Sequence, residues 1–266
     1  MRRGKTVEAV HLVHVASTDG TLHGDDVVGF LRSSAKPIQA IPLAEAYDDL
    51  DDDELAIACA SHQAEPAQLD AVRKLLDRAR ATVDDLENGV QEGRPHGRLG
   101  HNCSGKHAGF LAACRANGWP LRGYRLPEHP LQQRIAALVG GGERAVDGCG
   151  VPTWAQPLSA QASLLLRAPP RVASAMRARP ELVGGAGADD TALMRAAPGV
   201  VAKRGAEGLL CAAAADGRGY AFKVADGNGR ALRPVVAAVL GIDELARVPV
   251  ENSRGDTVGV IELDAG

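Results

Sequence analysis

Arg32-Ser33-Ser34-Ala35-Lys36-Pro37 is where the chain changes texture. Upstream, residues 7–30 alternate weakly around Asp19-Gly20, which predicts a hairpin of Val7 to Ala16 and Thr21 to Val28. Downstream the pattern turns helical. Pro37 suits the first turn of a helix over Lys36–Tyr47, and Asp51–Ala60 predicts a second. Pro66–Arg80 sets Leu69, Val72, Leu75 and Leu76 on one face. Ser104 is placed to cap a helix that runs through Asn117 and stops at Gly118. His129–Val139, Leu158–Arg167 and Val172–Arg177 extend the helical part, broken by Pro169-Pro170 and Pro180. Strand texture returns after Gly199: Leu209–Ala214 and Tyr220–Ala225 flank a Gly217-Arg218-Gly219 turn, then come a helix over Leu232–Leu240 and a strand over Thr257–Leu263. The expectation is an α/β domain over 1–266. One sheet draws strands from about 1–34 and 200–266, and a helical region, about 35–199, is inserted between them.

Composition narrows the function. Aromatic residues make up only 3%, so Ala, Leu and Val must build the core. A net charge of −3 argues against a nucleic-acid partner or a charged membrane surface. No apolar run approaches the roughly 20 residues of a membrane span, and the basic start, Met1-Arg2-Arg3-Gly4-Lys5, makes a poor signal peptide. Cys59, Cys114 and Cys211 lie among apolar residues and read as small buried hydrophobes, whereas Cys103 and Cys149 lie in polar, Gly-rich surroundings. A chain of this size without a secretory signal points to a reducing, cytoplasmic compartment and not to a disulfide framework.

The chemistry concentrates in short motifs. Ser33 precedes Lys36 by three residues, which sets a hydroxyl beside an amine on one helical face, the minimal nucleophile and base for acyl transfer. The same spacing also describes a helix cap with a solvated lysine. A lysine is a base only when burial or a second cation lowers its pKa. Lys223, among the apolar residues Tyr220-Ala221-Phe222-Lys223-Val224, is a candidate second lysine, although the exposed face of an edge strand explains it slightly better. Cys103, Lys106 and His107 share a helical face, and Cys149 sits between two glycines; two thiolates and a nitrogen donor suit Zn²⁺. Gly100 to His107 also imitates a phosphate-binding loop, but His107 stands where Ser or Thr is needed and no strand precedes it.

Taken together, these motifs resemble the asparaginase II family, the thermolabile or Rhizobium etli-type L-asparaginases. The matching stretches are Arg32 to Ala40, Ala58-Cys59-Ala60-Ser61-His62 with Glu65-Pro66, His101 to Gly109, Asp147 to Pro152, and Ala202-Lys203-Arg204-Gly205-Ala206-Glu207-Gly208. The resemblance implies a fold like that of serine β-lactamases and penicillin-binding proteins, hydrolysis of L-asparagine to aspartate and ammonia, and a homodimer. It implies Ser33 as nucleophile with Lys36, a second pair in Ser61 and Lys223, and a zinc site of Cys103, Lys106 and Cys149 with Asp147 beside a metal-bound water. Arg32 and Glu207 are candidates for the substrate's α-carboxylate and α-ammonium. Two departures stand out: Gln63-Ala64 replaces a common Ser-Gly, and Gly185 to Thr191 lacks an arginine expected near Ala188. The rival readings are an esterase or penicillin-type amidase on the same scaffold, and a non-catalytic zinc-binding relative.

Overall fold

The computed structural model describes residues 1–264; residues 265 and 266, the end of the expected domain and C-terminal sheet region, lie outside them. The first elements are β1 (Arg2–Arg3), β2 (Thr6–Val7), β3 (Val13–Ser17), β4 (Leu22–His23) and β5 (Val28–Phe30), then a 3-10 turn over Arg32–Ala35. The helices α1 (Lys36–Gln39), α2 (Ile41–Ala46), α3 (Asp52–Ala58), α4 (Pro66–Ala79), α5 (Ser104–Asn117) and α6 (Pro130–Val139) follow. After them come β6 (Glu143–Val146), β7 (Pro152–Pro157), α7 (Leu158–Gln161), α8 (Pro170–Ala178), α9 (Pro180–Gly184) and α10 (Asp189–Ala196). The chain then runs through β8 (Val201–Arg204), β9 (Leu209–Ala213), β10 (Gly219–Val224), α11 (Leu232–Leu240), β11 (Arg247–Glu251) and β12 (Thr257–Glu262).

The main sheet does join the two ends of the chain. Its antiparallel order is β4-β3-β10-β9-β8, with Lys223 opposite His14 and Leu209, and Lys203 opposite Cys211. The N-terminal hairpin is smaller than expected, because only Val15 and Ala16 pair with β4 while β2 and β5 leave for other sheets. A second sheet, β11-β12-β1-β2, ties the termini together. A third, β5-β7-β6, interrupts the region expected to be helical. Its β6–β7 hairpin turns at Asp147–Val151, closed by Asp147 N–H on the Val151 carbonyl at 2.8 Å.

The helices form for local reasons. Asp51 and Glu54 make a reciprocal capping box at the start of α3. On α4, Leu69, Val72, Leu75 and Leu76 are buried as the spacing requires, each contributing roughly 2 kcal/mol. Every residue of α5 from Ser104 to Cys114 is buried, so it is a central helix. A Cβ at Gly105 would lie 2.2 Å from the Ile57 carbonyl, and only glycine lets α5 approach the end of α3 this closely. That contact brings the Cys103–Lys106 turn up to the segment carrying Ser61. Gly118 ends α5 in the left-handed region at φ +66°. Ser104, however, is not the cap. Cys103 occupies that position, while the Ser104 hydroxyl donates to the Leu99 carbonyl at 2.7 Å and meets His62 Nε2 at 2.8 Å.

Candidate active site

Ser33 and Ser61 line one cavity of about 430 Å³, together with Asn102, Asp189, Arg204, Glu207 and Arg230. Ser33 lies inside the 3-10 turn rather than at a helix cap. The residue before it, Arg32, is held at φ +47°, a conformation that side chains other than glycine's seldom adopt and that marks strain at functional turns. Lys36 is fully buried one turn on. Its Nζ donates to the Ala60 carbonyl and to Ser61 Oγ, the latter at 3.1 Å. So the lysine of the Ser33 motif rests on the second serine, which the fold presents to the same cavity.

Ser61 is fixed from both sides. Its N–H donates to the Val183 carbonyl at 2.8 Å, and His62 N–H donates to the Asn102 carbonyl at 3.2 Å. His62 Nδ1 accepts from Ala64 N–H at 3.1 Å, so Nε2 carries the proton and donates to Ser104. Burial and the nearby Lys36 charge push His62 down to about 3, which makes it a neutral brace between the Ser61 segment and α5. Ala64, at the site of the departure from Ser-Gly, takes φ +63°, where glycine would be unstrained.

The expected second lysine, Lys223, stays outside the cavity lining. Lys223 lies on β10, where its Nζ donates to the carbonyls of Glu207 and Val224, both at 2.7 Å, and it does not line the cavity. Lys203, on the edge strand β8, is fully buried with its Nζ 2.9 Å from Asp190 Oδ2. Burial lowers it to about 8, helped by the charges of Lys36 and Arg204 and opposed by Asp190. Desolvation would raise Asp190, but Lys203 and Arg204 hold it below the usual carboxylate range. Sequence reasoning had Lys203 within a matching stretch and gave it no role. The available signal was its place on the last strand of the sheet, beside the turn that carries Ser33.

The cysteines divide as their surroundings suggest, and all five are free thiols. Burial pushes Cys59, Cys114 and Cys211 up to about 12, which makes them inert. Cys103 and Cys149 come together, Cys149 from the tip of the β6–β7 hairpin and Cys103 from the start of α5. The bond between them holds Cys103 well below the usual thiol range and Cys149 well above it, so the pair shares a proton. Lys106 Nζ lies 3.0 Å from Cys149 Sγ. Burial disfavours its charge, but the two sulfurs together with Asp147 outweigh burial and raise it. Among the described residues no three His, Cys, Asp or Glu side chains form a metal-binding group. Asp147 stands beside this cluster and accepts from Arg32 Nε at 2.6 Å. Arg32 is thereby engaged with Asp147 and does not line the cavity, whereas Glu207 does.

No helix among the described residues is long and apolar enough to cross a membrane. No curated protein matches the chain. The family model described as L-asparaginase II matches residues 1–262, nearly the whole chain, with the Ser-Lys cavity, the Cys103–Cys149 cluster and the Lys203 strand all inside the match, and the chain belongs to that family.

Proposed function

We propose that this chain is an L-asparagine amidohydrolase working through a serine acyl-enzyme. The observation that carries the reading is one cavity holding two serines, with buried Lys36 bonded to Ser61 at 3.1 Å and buried Lys203 behind it. Ser33 Oγ attacks the side-chain amide carbon. Its proton passes through Ser61 to Lys36, and the amide nitrogen takes a proton as the C–N bond breaks and ammonia leaves. Water then attacks the resulting ester, giving aspartate and free Ser33. Lys203 takes the part expected of Lys223, as a buried amine whose own pKa is lowered to about 8. An antiparallel sheet built from both ends of the chain, with Ser-x-x-Lys at the helical turn beside it, supports the expected likeness to serine β-lactamases.

Zinc fits the second cluster. Cys103, Cys149 and Lys106 are three buried donors already in contact, and a tetrahedral site with three protein ligands keeps one position open. Bound there, the metal would supply positive charge and orient the neighbouring Asp147–Arg32 pair.

The test is ammonia release from L-asparagine. Ser33→Ala is expected to lose at least about a thousandfold in kcat while remaining folded. The Lys36–Ser61 bond also favours a second reading, in which Ser61 attacks with Lys36 as its direct base. Mass spectrometry of a trapped acyl-enzyme separates the two: the adduct maps to the peptide of Ser33 or to that of Ser61.

A further inference from the structure

Resting on the reading that this cavity hydrolyses an amide, we infer that Arg204 and Glu207 are its specificity pair, binding the α-carboxylate and the α-ammonium of the substrate. The cavity must recognise a zwitterion, and most charges around it are already engaged. Arg32 donates to Asp147 at 2.6 Å. Arg233, on α11, donates to Asp189 at 2.8 Å and to the Gly187 carbonyl, so the loop that lacks an arginine near Ala188 receives one from elsewhere, already paired. Arg230 lines the cavity, but its Nε is held by His11 Nε2 at 2.9 Å, and His11 Nδ1 is held by Asp226 at 2.7 Å. Arg204 differs. Its nearest carboxylate is Asp190 at 3.8 Å, and Asp190 is already bonded to Lys203 at 2.9 Å. A guanidinium on the cavity wall, next in sequence to the lysine of the reaction centre, therefore has its outer nitrogens to offer. Its planar fork matches a carboxylate.

Glu207 supplies the opposite charge. Its carboxylate is exposed, lines the cavity and has no ion-pair or hydrogen-bond partner among the described residues. Its backbone is held at φ +59°, and its carbonyl is gripped by Lys223 Nζ at 2.7 Å. A strained residue fixed through its backbone carbonyl, with its acid left free toward the cavity, fits a group positioned for a ligand.

The experiment deletes charge from enzyme and substrate in turn. Succinamate is asparagine without the α-ammonium, and 3-aminopropanamide is asparagine without the α-carboxylate. Arg204→Gln is expected to raise KM roughly 10- to 100-fold for asparagine and succinamate and to leave 3-aminopropanamide nearly unchanged. Glu207→Gln is expected to do the reverse, affecting asparagine and 3-aminopropanamide but not succinamate. Arg204→Lys, which keeps the charge without the fork, is expected to fall between, and it covers the case in which Arg204→Gln fails to fold. Equal losses on all three amides overturn the assignment. So does Arg230→Gln reproducing the pattern while Arg204→Gln does not. Calorimetric titration with L-aspartate keeps the two readings separable. A wild type that turns over no amide but binds L-aspartate at least tenfold tighter than Arg204→Gln keeps the amino-acid site and sinks the hydrolase. Equal binding by both sinks the pair whatever the turnover.

Discussion

Lys203 and Lys106 are both almost completely shut off from solvent, yet their environments drive them in opposite directions. Burial alone disfavours both charges. Around Lys203 the only compensating acid is Asp190, and the neighbouring cations Lys36 and Arg204 add to the penalty, so the amine falls to about 8. Around Lys106 two sulfurs that share a proton, with Asp147 beside them, more than offset burial, and the amine is raised. The difference shows that burial does not by itself make a lysine a base. What lies against the nitrogen decides whether it titrates within reach of neutral pH or stays charged.

Within this comparison the largest effect is expected from removing the lowered lysine. Lys203→Met is expected to reduce kcat roughly a hundredfold. It also tests the sign of the pH dependence. Below about 8 Lys203 carries its proton, and above that it does not. Neutral Lys203 is a base beside the cavity, so kcat is expected to rise with pH through about 8. Lys203→Met should lack that limb. A variant that keeps it would show that Lys203 is not the titrating group.

A smaller effect is expected at the other lysine's partners. Protein purified without chelator should carry about one zinc per chain, tighter at higher pH because the ligands must be deprotonated. Replacing Cys103 and Cys149 together with Ser should abolish the metal and raise KM by roughly an order of magnitude, with little change in Tm. A double variant that still binds zinc would break the comparison, because Lys106 would then owe its charge to something other than a ligand set.

The legible parts were those with local causes. The Leu69–Leu76 stripe, the Gly118 stop and the Pro37 start depend on neighbours within a turn or two, and they lie where the spacing put them. The Ser104 cap was misread because its hydroxyl finds Leu99 and His62, and His62 is brought by the fold. The β6–β7 hairpin had a signal in Asp147-Gly148, a turn dipeptide between Val146 and Val151. The choice between Lys203 and Lys223 had no local answer. Both occur on strands after apolar residues, Val201-Ala202 and Ala221-Phe222, and both lie on the same sheet face, since Lys203 pairs with Cys211, Cys211 with Ala221, and Ala221 lies two residues from Lys223. Only strand order tells them apart, and strand order is a property of the whole chain.

That shared face yields the smallest expected effect. Two strand spacings separate β8 from β10, roughly 10 Å, so Lys223 cannot join Lys36 without leaving its carbonyl partners. Burial lowers it, opposed by Glu207 and Asp226, and neither Lys36 nor Lys203 contributes to its shift. Lys223 grips the carbonyl of Glu207, whose backbone is strained at φ +59°. Losing that grip should loosen Glu207 without touching proton transfer. Lys223→Met is therefore expected to raise KM for asparagine only about threefold, near the net worth of one hydrogen bond, with kcat and its rise through pH 8 unchanged. Succinamate, which has no ammonium for Glu207, should show no change at all. A large loss of kcat in Lys223→Met, or a pH profile that moves with it, would return Lys223 to the proton-transfer unit and leave Lys203 as the structural lysine of the pair.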